Sequence, residues 1–203
     1  MKTINSRNKG TPSRKRLIIE TALSCFTELG LDRTNMEDIR KRSGASTGSI
    51  YHHFKSKEQL AAEVYLEGIW RYQEGFLSAI EDKADAREGI HAVVRYHLAW
   101  VEDNPHWARF LFQQRRAEFM DATEGEFSQI NADFFGRASL WFGRHVRAGT
   151  FRRLPADLYV ALLLGPCQEY TRMYLAGRAR TKPDEIADEL AEAIWRAIGE
   201  QTG

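Results

Sequence analysis

Apolar residues recur every three or four positions along most of the chain, and short segments rich in Gly, Pro, Ser and Asn interrupt them. The first stripe consists of Ile18, Ala22, Cys25 and Leu29, and Gly30 follows it where a helix of this length ends. The sequence contains no internal repeat and no stretch of alternating apolar and polar residues typical of a strand. The pattern therefore predicts an all-α protein with about nine helices.

The segment of residues 34–60 predicts two short helices around a tight turn, followed directly by the start of a long helix. Thr34 and Glu37 have the spacing of a capping box, in which each side chain can bind a backbone N–H near the other. Gly44 suits the end of the first short helix, and Ser46 suits the N-cap of the second. Together with the first helix, these elements predict a three-helix unit of the helix-turn-helix type.

The rest of the chain predicts six longer helices. Caps and prolines place their starts at Ser56, Asp85, Pro105, Thr123, Pro155 and Pro183. The helix that begins at Pro155, the eighth in the chain, is apolar on nearly all sides, and a helix of that kind is buried on all sides. In a chain of 203 residues we expect one of its faces to contact a second copy of the protein.

We expect helices 8 and 9 to pair with their copies in a four-helix, two-fold interface. The residues predicted at this interface are Leu158, Leu162, Met173, Ile186, Leu190 and Ile194. Pro166 lies inside helix 8 and removes one backbone hydrogen bond, so it predicts a bend. Two interpretations of the bend stay open: a local packing kink, or a bend that opens a cavity toward helix 7.

Residues 13–60 resemble the DNA-binding domain of the TetR (tetracycline-repressor-like) family of bacterial transcriptional regulators. The residues that carry the resemblance are Ala22, Phe26, Leu29-Gly30-Leu31, Thr34, Asp38-Ile39, Ser43-Gly44-Ala45-Ser46, Gly48-Ser49-Ile50-Tyr51-His52-His53-Phe54 and Lys57-Glu58-Gln59-Leu60. Arg40, Ser43 and Ala45 depart from the usual family pattern and can alter the packing of the turn or add a backbone contact. The resemblance implies a DNA-binding head, a helical body that binds a small effector, and a homodimer.

The charges of the chain are divided unevenly. Residues 1–60 contain 12 Lys and Arg against 6 Asp and Glu, whereas residues 61–203 contain 17 against 22. A basic head on an acidic body is typical of a protein that touches nucleic acid at one end. The formal net charge of +1 conceals this division.

Residues 1–12 are polar and basic and lack the apolar stretch of a secretory signal, so they predict a disordered tail. This tail is either solvated or an arm that reaches the DNA minor groove. No run of about 18 apolar residues occurs, so no membrane span is predicted. Cys25 and Cys167 lie on apolar helical faces and predict buried thiols in a cytoplasmic protein.

The second short helix, residues 47–54, is expected to enter the major groove, where base contacts specify and phosphate contacts position. The residues predicted to contact DNA are Thr34, Ser46, Thr47, Gly48, Ser49, Tyr51, His52, Lys55 and Lys57. The family resemblance implies that Tyr51 and His52 contact the DNA backbone. Ile50 and Phe54 are expected to face the core of the head instead.

A small effector is expected to bind inside the body, as the resemblance implies. The predicted contacts are His97, Trp100, Trp107, Phe110, Phe134, Trp141, His145, Gln168, Glu169 and Tyr170. His97 and His145 lie on apolar stripes, where a polar group needs a partner, but each can also be a core histidine whose hydrogen bonds are satisfied. The aromatic content favours an effector that is largely apolar or aromatic.

Catalytic and metal chemistry are not predicted. His91, His97, His106 and His145 form no i, i+4 pair and have no cysteine at zinc-ligand spacing. The sequence also lacks a phosphate-binding glycine loop and a nucleophile elbow. We therefore expect no enzyme, no metal and no cofactor.

The sequence predicts a tail of residues 1–12, a DNA-binding domain of residues 13–60 and a ligand-binding and dimerisation domain of residues 61–203. The expected function is a ligand-responsive repressor that binds a palindromic DNA operator as a homodimer. An activator or a ligand-independent regulator is the alternative within this class. A non-specific architectural DNA-binding protein and an enzyme or carrier on the same fold are alternatives from other classes.

Overall fold

The computed structural model describes residues 13–113 and 123–200, and the predicted tail of residues 1–12 lies outside them. The described residues form nine helices: α1 Arg14–Leu29, α2 Met36–Ser43, α3 Thr47–His53, α4 Lys57–Ile80, α5 Ala86–Asp103, α6 Pro105–Gln113, α7 Glu124–Arg147, α8 Ala156–Leu175 and α9 Pro183–Ile198. One isolated bridge joins Phe151 to Gly199. This order confirms the predicted all-α class. Among the described residues, no helix is long and apolar enough to cross a membrane.

The first compact unit contains α1, α2, α3 and the start of α4, and it ends at Val64. Helices α1 and α2 pack against each other. The largest fully buried side chains of the unit are Ile18, Phe26, Ile39, Ile50, Phe54 and Leu60. The predicted inward orientation of Ile50 and Phe54 is thereby confirmed, and the opposite face of α3 remains exposed.

Most predicted helix starts agree with the caps in the structure. The Asp85 carboxylate accepts the Glu88 N–H at 2.7 Å ahead of α5, and Pro105 begins α6. Thr123 precedes α7 as predicted, but its side chain makes no capping hydrogen bond. Its ψ of 12° departs from the extended backbone that directs an N-cap side chain toward the helix, so Thr123 marks the start of α7 but its side chain does not cap the helix.

The second compact unit begins at Tyr65. Helix α5 lies at its centre and packs against α6, α8 and α9. Side chains from five helices meet in the core, among them Leu77, Ile90, Trp141, Leu163 and Ile198. Both cysteines are buried free thiols, as predicted. Burial raises the pKa of the Cys167 thiol to about 12, so this sulfur is an unreactive part of the core.

Candidate DNA interface and effector cavity

The turn between α2 and α3 is fixed by its backbone conformation and by two serines. Gly44 adopts the left-handed conformation with a φ of 63°, which glycine reaches without steric cost. The Ser43 hydroxyl donates to the Arg40 carbonyl at 3.2 Å and accepts the Ala45 N–H at 3.3 Å. The Ser46 side chain then caps α3. Ser43, which departs from the family pattern, thus adds backbone contacts to the turn.

One polar face of α3 and its flanking residues is open to solvent. Exposed positions on this face are Ser46, Thr47, Gly48, Tyr51, His52 and Lys55, and Ser49 is half-buried. Tyr51 exposes 45% of its surface. Hydroxyl, imidazole and ammonium groups are those that bind phosphates and base edges. Seven of the nine predicted DNA contacts therefore lie together on one surface, which we call the polar α3 face.

Thr34 does not belong to the polar α3 face. Its side chain is only 1% exposed, and its hydroxyl donates to the carbonyls of Gly30 at 2.8 Å and Cys25 at 3.2 Å. Helix α2 is capped instead by Asn35, which forms a reciprocal capping box with Asp38. The predictions that Thr34 caps α2 and contacts DNA are therefore wrong, because its hydroxyl is enclosed and already bonded.

The buried hydroxyl of Thr34 is expected to stabilise the connection between α1 and α2. Valine has the same shape but cannot donate, so Thr34→Val should lower the free energy of unfolding by about 1–2 kcal/mol. Urea unfolding measures this loss. Thr47→Val, a matched change on the polar α3 face, should alter stability by less than about 0.5 kcal/mol. Equal stability of the Thr34 variant and the wild type would show that the two internal hydrogen bonds contribute nothing.

The two lysines that follow α3 are held differently. The Lys55 ammonium donates to the Tyr51 carbonyl at 3.1 Å in an exposed position. The Lys57 ammonium donates to the carbonyls of Leu31 at 2.9 Å and Asp32 at 3.4 Å. Lys57 thus ties the α1–α2 connection to the start of α4. An ammonium has three N–H donors, so Lys57 keeps one for a phosphate.

The body contains a cavity of about 450 Å³ between α7 and the first half of α8, with Phe76 of α4 in its lining. The other lining residues are Phe134, Phe135, Ala138, Ser139, Phe142, Gly143, Val146, Leu154, Ala156, Asp157, Tyr159, Val160, Leu163 and Leu164. Three lining residues have polar side chains: Ser139, Asp157 and Tyr159. The Tyr159 hydroxyl already donates to the Arg152 carbonyl. A concave, largely apolar site of this size suits a small organic molecule.

This cavity lies between α7 and α8, and both interpretations of the Pro166 bend stay open. Pro166 itself lies inside α8 but is exposed and does not line the cavity. The last lining residue of α8 is Leu164. The space is therefore formed by the half of α8 that precedes the proline.

Of the ten predicted effector contacts, only Phe134 lines the cavity. Gln168 and Glu169 are exposed, and Glu169 forms an ion pair within α8, so their assignment to the site is wrong. Tyr170 is half-buried and donates its hydroxyl to the Thr181 carbonyl at 2.6 Å. The other six are core residues: His97, Trp100, Trp107, Phe110, Trp141 and His145. Helical periodicity thus identified the core here rather than the lining of the cavity.

His97 is a fully buried core histidine with both ring nitrogens satisfied. The Tyr72 hydroxyl lies 2.7 Å from its Nδ1, and the Thr171 hydroxyl lies 2.8 Å from its Nε2. These bonds join α4, α5 and α8. His145 is buried against Trp141 at a ring-centroid distance of 4.5 Å, and its Nε2 has no hydrogen-bond partner in the described part of the chain. The structure thus supports the core role for His97.

The stability of the body is expected to depend on pH through His97. Burial lowers the pKa of His97 from 6.5 to about 4, so between these values the unfolded chain binds a proton that the folded protein excludes. The free energy of unfolding should therefore fall as the pH drops from 6.5 toward 4, by on the order of 3 kcal/mol from this group.

Urea unfolding between pH 7 and pH 4 measures this dependence. His97→Gln keeps a hydrogen-bonding side chain but does not titrate, so its stability should fall less steeply with acid. Burial also lowers the pKa of His145, which leaves a residual slope in the variant. Identical slopes for the variant and the wild type would contradict the assignment to His97.

The predicted dimer residues are divided between the surface and the core. Leu158 and Met173 of α8 expose 39% and 38% of their surfaces. Half-buried positions are Leu162, Ile186 and Leu190. Ile194 is only 2% exposed and belongs to the core of the body, so its assignment to the interface is wrong. Helix α8 therefore buries one stripe in its own body and leaves another apolar face exposed, as its sequence predicts.

A buried three-helix core with an exposed polar helix, joined to a helical body, defines the class of helix-turn-helix DNA-binding proteins. Two family models match most of the chain. The model of bacterial regulatory proteins of the tetR family matches residues 18–64, and that of the tetracyclin repressor-like C-terminal domain matches residues 65–200. The chain belongs to the TetR family of bacterial regulatory proteins. It is a DNA-binding transcriptional regulator and not an enzyme, as predicted.

Several relatives resemble this chain over nearly its whole length. The HTH-type transcriptional repressor KstR2 of Rhodococcus jostii (strain RHA1) is 28% identical over 194 residues, which cover 91% of each protein. The structure of the ketosteroid transcriptional regulator KstR2 of Mycobacterium tuberculosis superposes with a TM-score of 0.69 at 20% identity, covering 95% of this chain and 98% of that one. FadR from Bacillus subtilis, in complex with stearoyl-CoA, gives a TM-score of 0.74 at 19% identity over 88% of this chain and 96% of FadR. The relatives named as repressors support the repressor class predicted from the sequence.

Proposed function

We propose that the protein represses transcription by binding a palindromic operator as a homodimer in the cytoplasm, and that a small apolar effector controls this binding. Residues 13–60 form the DNA-binding domain, and residues 61–203 bind the effector and the second copy. One observation carries the proposal: a polar α3 face and an apolar cavity occur in one chain, and the continuous helix α4 runs from the head into the body.

The chemistry of the exposed side chains assigns the DNA contacts. Short hydroxyl side chains near the start of α3 are assigned to base edges: Ser46, Thr47 and Ser49. Longer side chains are assigned to phosphates: Tyr51, His52, Lys55 and Lys57. Apart from its chain neighbours and the backbone of its own helix, Gly48 has no described atom within 4 Å of where a Cβ would lie, so the backbone can approach DNA closely there. Because the hydroxyl groups read bases weakly, we expect DNA shape and water to supply much of the specificity.

The cavity supports an effector that is largely apolar. Nine of its lining residues are Phe, Val or Leu. Two of the similar structures, a ketosteroid regulator and a complex with stearoyl-CoA, are named for molecules with a large apolar part. The head and the cavity are coupled through α4 in this proposal, because Phe76 lines the cavity and belongs to α4. A bound effector that displaces Phe76 favours one position of α4 and thereby one spacing of the two heads.

Helices α8 and α9, which pack against each other, are proposed to form the dimer interface. The exposed apolar stripe of α8 supports this assignment. Replacing Leu158 and Met173 together with aspartate places two charges on that stripe in each protomer, and we expect the variant to sediment as a monomer at micromolar concentration. Leu140→Asp, at an exposed leucine of α7, is the matched control. A variant that remains dimeric would remove this stripe from the interface.

Selection of bound duplexes from a random pool at physiological salt tests the proposed function. We expect enrichment of a palindrome whose half-sites are one or more helical turns apart. Binding without any enriched sequence would favour the architectural alternative. If a palindrome is bound but no apolar compound in a screen changes this binding, the ligand-independent regulator is favoured. If the protein raises transcription in a reporter strain, the activator is favoured.

A further inference from the structure

Helices α4 and α7 are joined by two successive contacts, one polar and one apolar. The Gln73 side-chain N–H donates to the Asn131 Oδ1 at 2.8 Å. One helical turn further along both helices, the rings of Phe76 and Phe134 meet edge to face with centroids 5.3 Å apart. Residues three apart on a helix are surface neighbours, so the amide pair lies next to the ring pair.

Within the amide pair, Gln73 is buried, Asn131 is half-buried, and the hydrogen bonds are incompletely satisfied. Gln73 is only 6% exposed, and its Oε1 has no hydrogen-bond partner among the residues that the structure describes. The neighbouring charges do not serve it, since Glu74 pairs with Arg137 at 2.6 Å. Buried polar atoms nearly always have a partner, and an orphan is costly unless something binds it. The Gln73 oxygen is therefore a buried acceptor that is still available for a hydrogen bond within the described part of the chain.

The ring pair separates this amide from the cavity. Phe76 and Phe134 both line the cavity, whereas Gln73 and Asn131 do not. Rotation of the two rings would extend the apolar space by one helical turn and end it at the amide pair. The two amides can also turn over together, because each carries one oxygen and one NH₂ group. The unbonded group of Gln73 is then its oxygen, an acceptor, in one orientation and its NH₂ group, a donor, in the other.

We infer that the Gln73–Asn131 pair is the polar end of the effector site and selects an apolar molecule that carries one hydroxyl or ketone oxygen at its inner end. A hydroxyl donates to the free amide oxygen, and a ketone accepts from the free NH₂ group after the amides turn over. The inference rests on the proposed role of the cavity as the effector site. It adds the chemical class of the effector and the residues that recognise it.

Displacement of the dye 1-anilinonaphthalene-8-sulfonate by three matched compounds tests the inference. Nonane, nonan-2-ol and nonan-2-one have nearly the same apolar chain and differ in the oxygen. Leucine at both Gln73 and Asn131 replaces the polar pair by apolar side chains of similar shape, a change that is close to neutral for folding. For each protein, the affinity for the alcohol or the ketone is divided by the affinity for nonane. We expect this relative affinity to be about tenfold lower in the variant than in the wild type. Dividing the affinity of the variant by that of the wild type for the same compound cancels the different solubilities of the compounds.

Three further variants keep the outcome interpretable. Gln168→Leu, at an exposed glutamine of α8, should leave all three affinities unchanged. Gln73→Met is the second variant for the case that the double leucine variant does not fold. An equal ratio of variant to wild-type affinity for all three compounds would overturn the inference. If Ser139→Trp blocks binding of the dye in that case, the cavity still stands as the binding site. If neither the dye nor any compound binds the wild type, the proposed effector cavity is wrong.

Discussion

The Tyr51→Ala, Lys55→Ala double variant is expected to bind the operator at least about 100-fold more weakly than the wild type. Both side chains lie on the polar α3 face, outside the buried core of the head. Loss of a phosphate contact costs on the order of 1 kcal/mol, and each loss occurs in both protomers of the proposed dimer. Fluorescence anisotropy against the selected operator measures the affinity at several salt concentrations. The slope of log affinity against log salt should become shallower, by about 1 for each ammonium contact removed.

Thermal unfolding and a matched control separate a lost contact from a damaged head. The double variant should melt at the same temperature as the wild type, because neither residue is buried. Arg178→Ala removes an exposed cation of the body and should leave operator affinity unchanged. An affinity of the double variant within about threefold of wild type, with an unchanged salt slope, would remove both side chains from the interface.

Ser139→Trp is expected to abolish the response to the effector while preserving operator affinity in its absence. Ser139 is exposed, lines the cavity, and donates its hydroxyl to the Gly136 carbonyl of its own helix at 2.8 Å. An indole can therefore fill the cavity without entering the core. A compound that cannot bind cannot shift the equilibrium between the two head spacings. Operator release by a library of apolar compounds, measured by anisotropy, gives the response of each variant.

Ser128→Trp provides the control for this prediction. Ser128 is also an exposed serine of α7, but it lies outside the cavity lining. Its variant should respond to the same compounds as the wild type. A compound that releases Ser139→Trp and the wild type from the operator at the same concentration would show that the effector binds elsewhere.

The head was largely predictable from sequence because short-range rules determine its turns and caps. Ile50, Phe54 and Gly44 occupy the positions that periodicity and turn chemistry assign to them. The prediction for Thr34 was wrong because two overlapping pairs have the capping-box spacing: Thr34 with Glu37, and Asn35 with Asp38. Tertiary burial decided between them: Thr34 turns inward to the α1 carbonyls, and Asn35 caps α2.

The cavity was much harder to predict, because a cavity is defined by the atoms that do not fill it. Periodicity correctly marks α7 as amphipathic, and Trp141 and His145 fall on its most buried side. The cavity lies about a quarter turn away, where Phe135 and Phe142 point. The usable signal was the dense aromatic content of α7 around these positions, which exceeds what one core-facing stripe requires.

The amide pair illustrates a further limit of the sequence. Gln73 and Asn131 are 58 positions apart and carry no motif. Their pairing follows from the packing of α4 on α7, which depends on contacts distributed along both helices. Only the three-dimensional structure shows that the Gln73 oxygen is buried and has no hydrogen-bond partner among the residues that the structure describes.

The central claim is that the dimer reads a specific palindrome through the polar α3 face. Its most direct test is an anisotropy titration at physiological salt with the selected palindrome and with a duplex of the same composition in which both half-sites are scrambled. We expect at least about 1,000-fold tighter binding to the palindrome, with two protomers per duplex. Equal affinity for the two duplexes would contradict the claim and identify a non-specific DNA-binding protein.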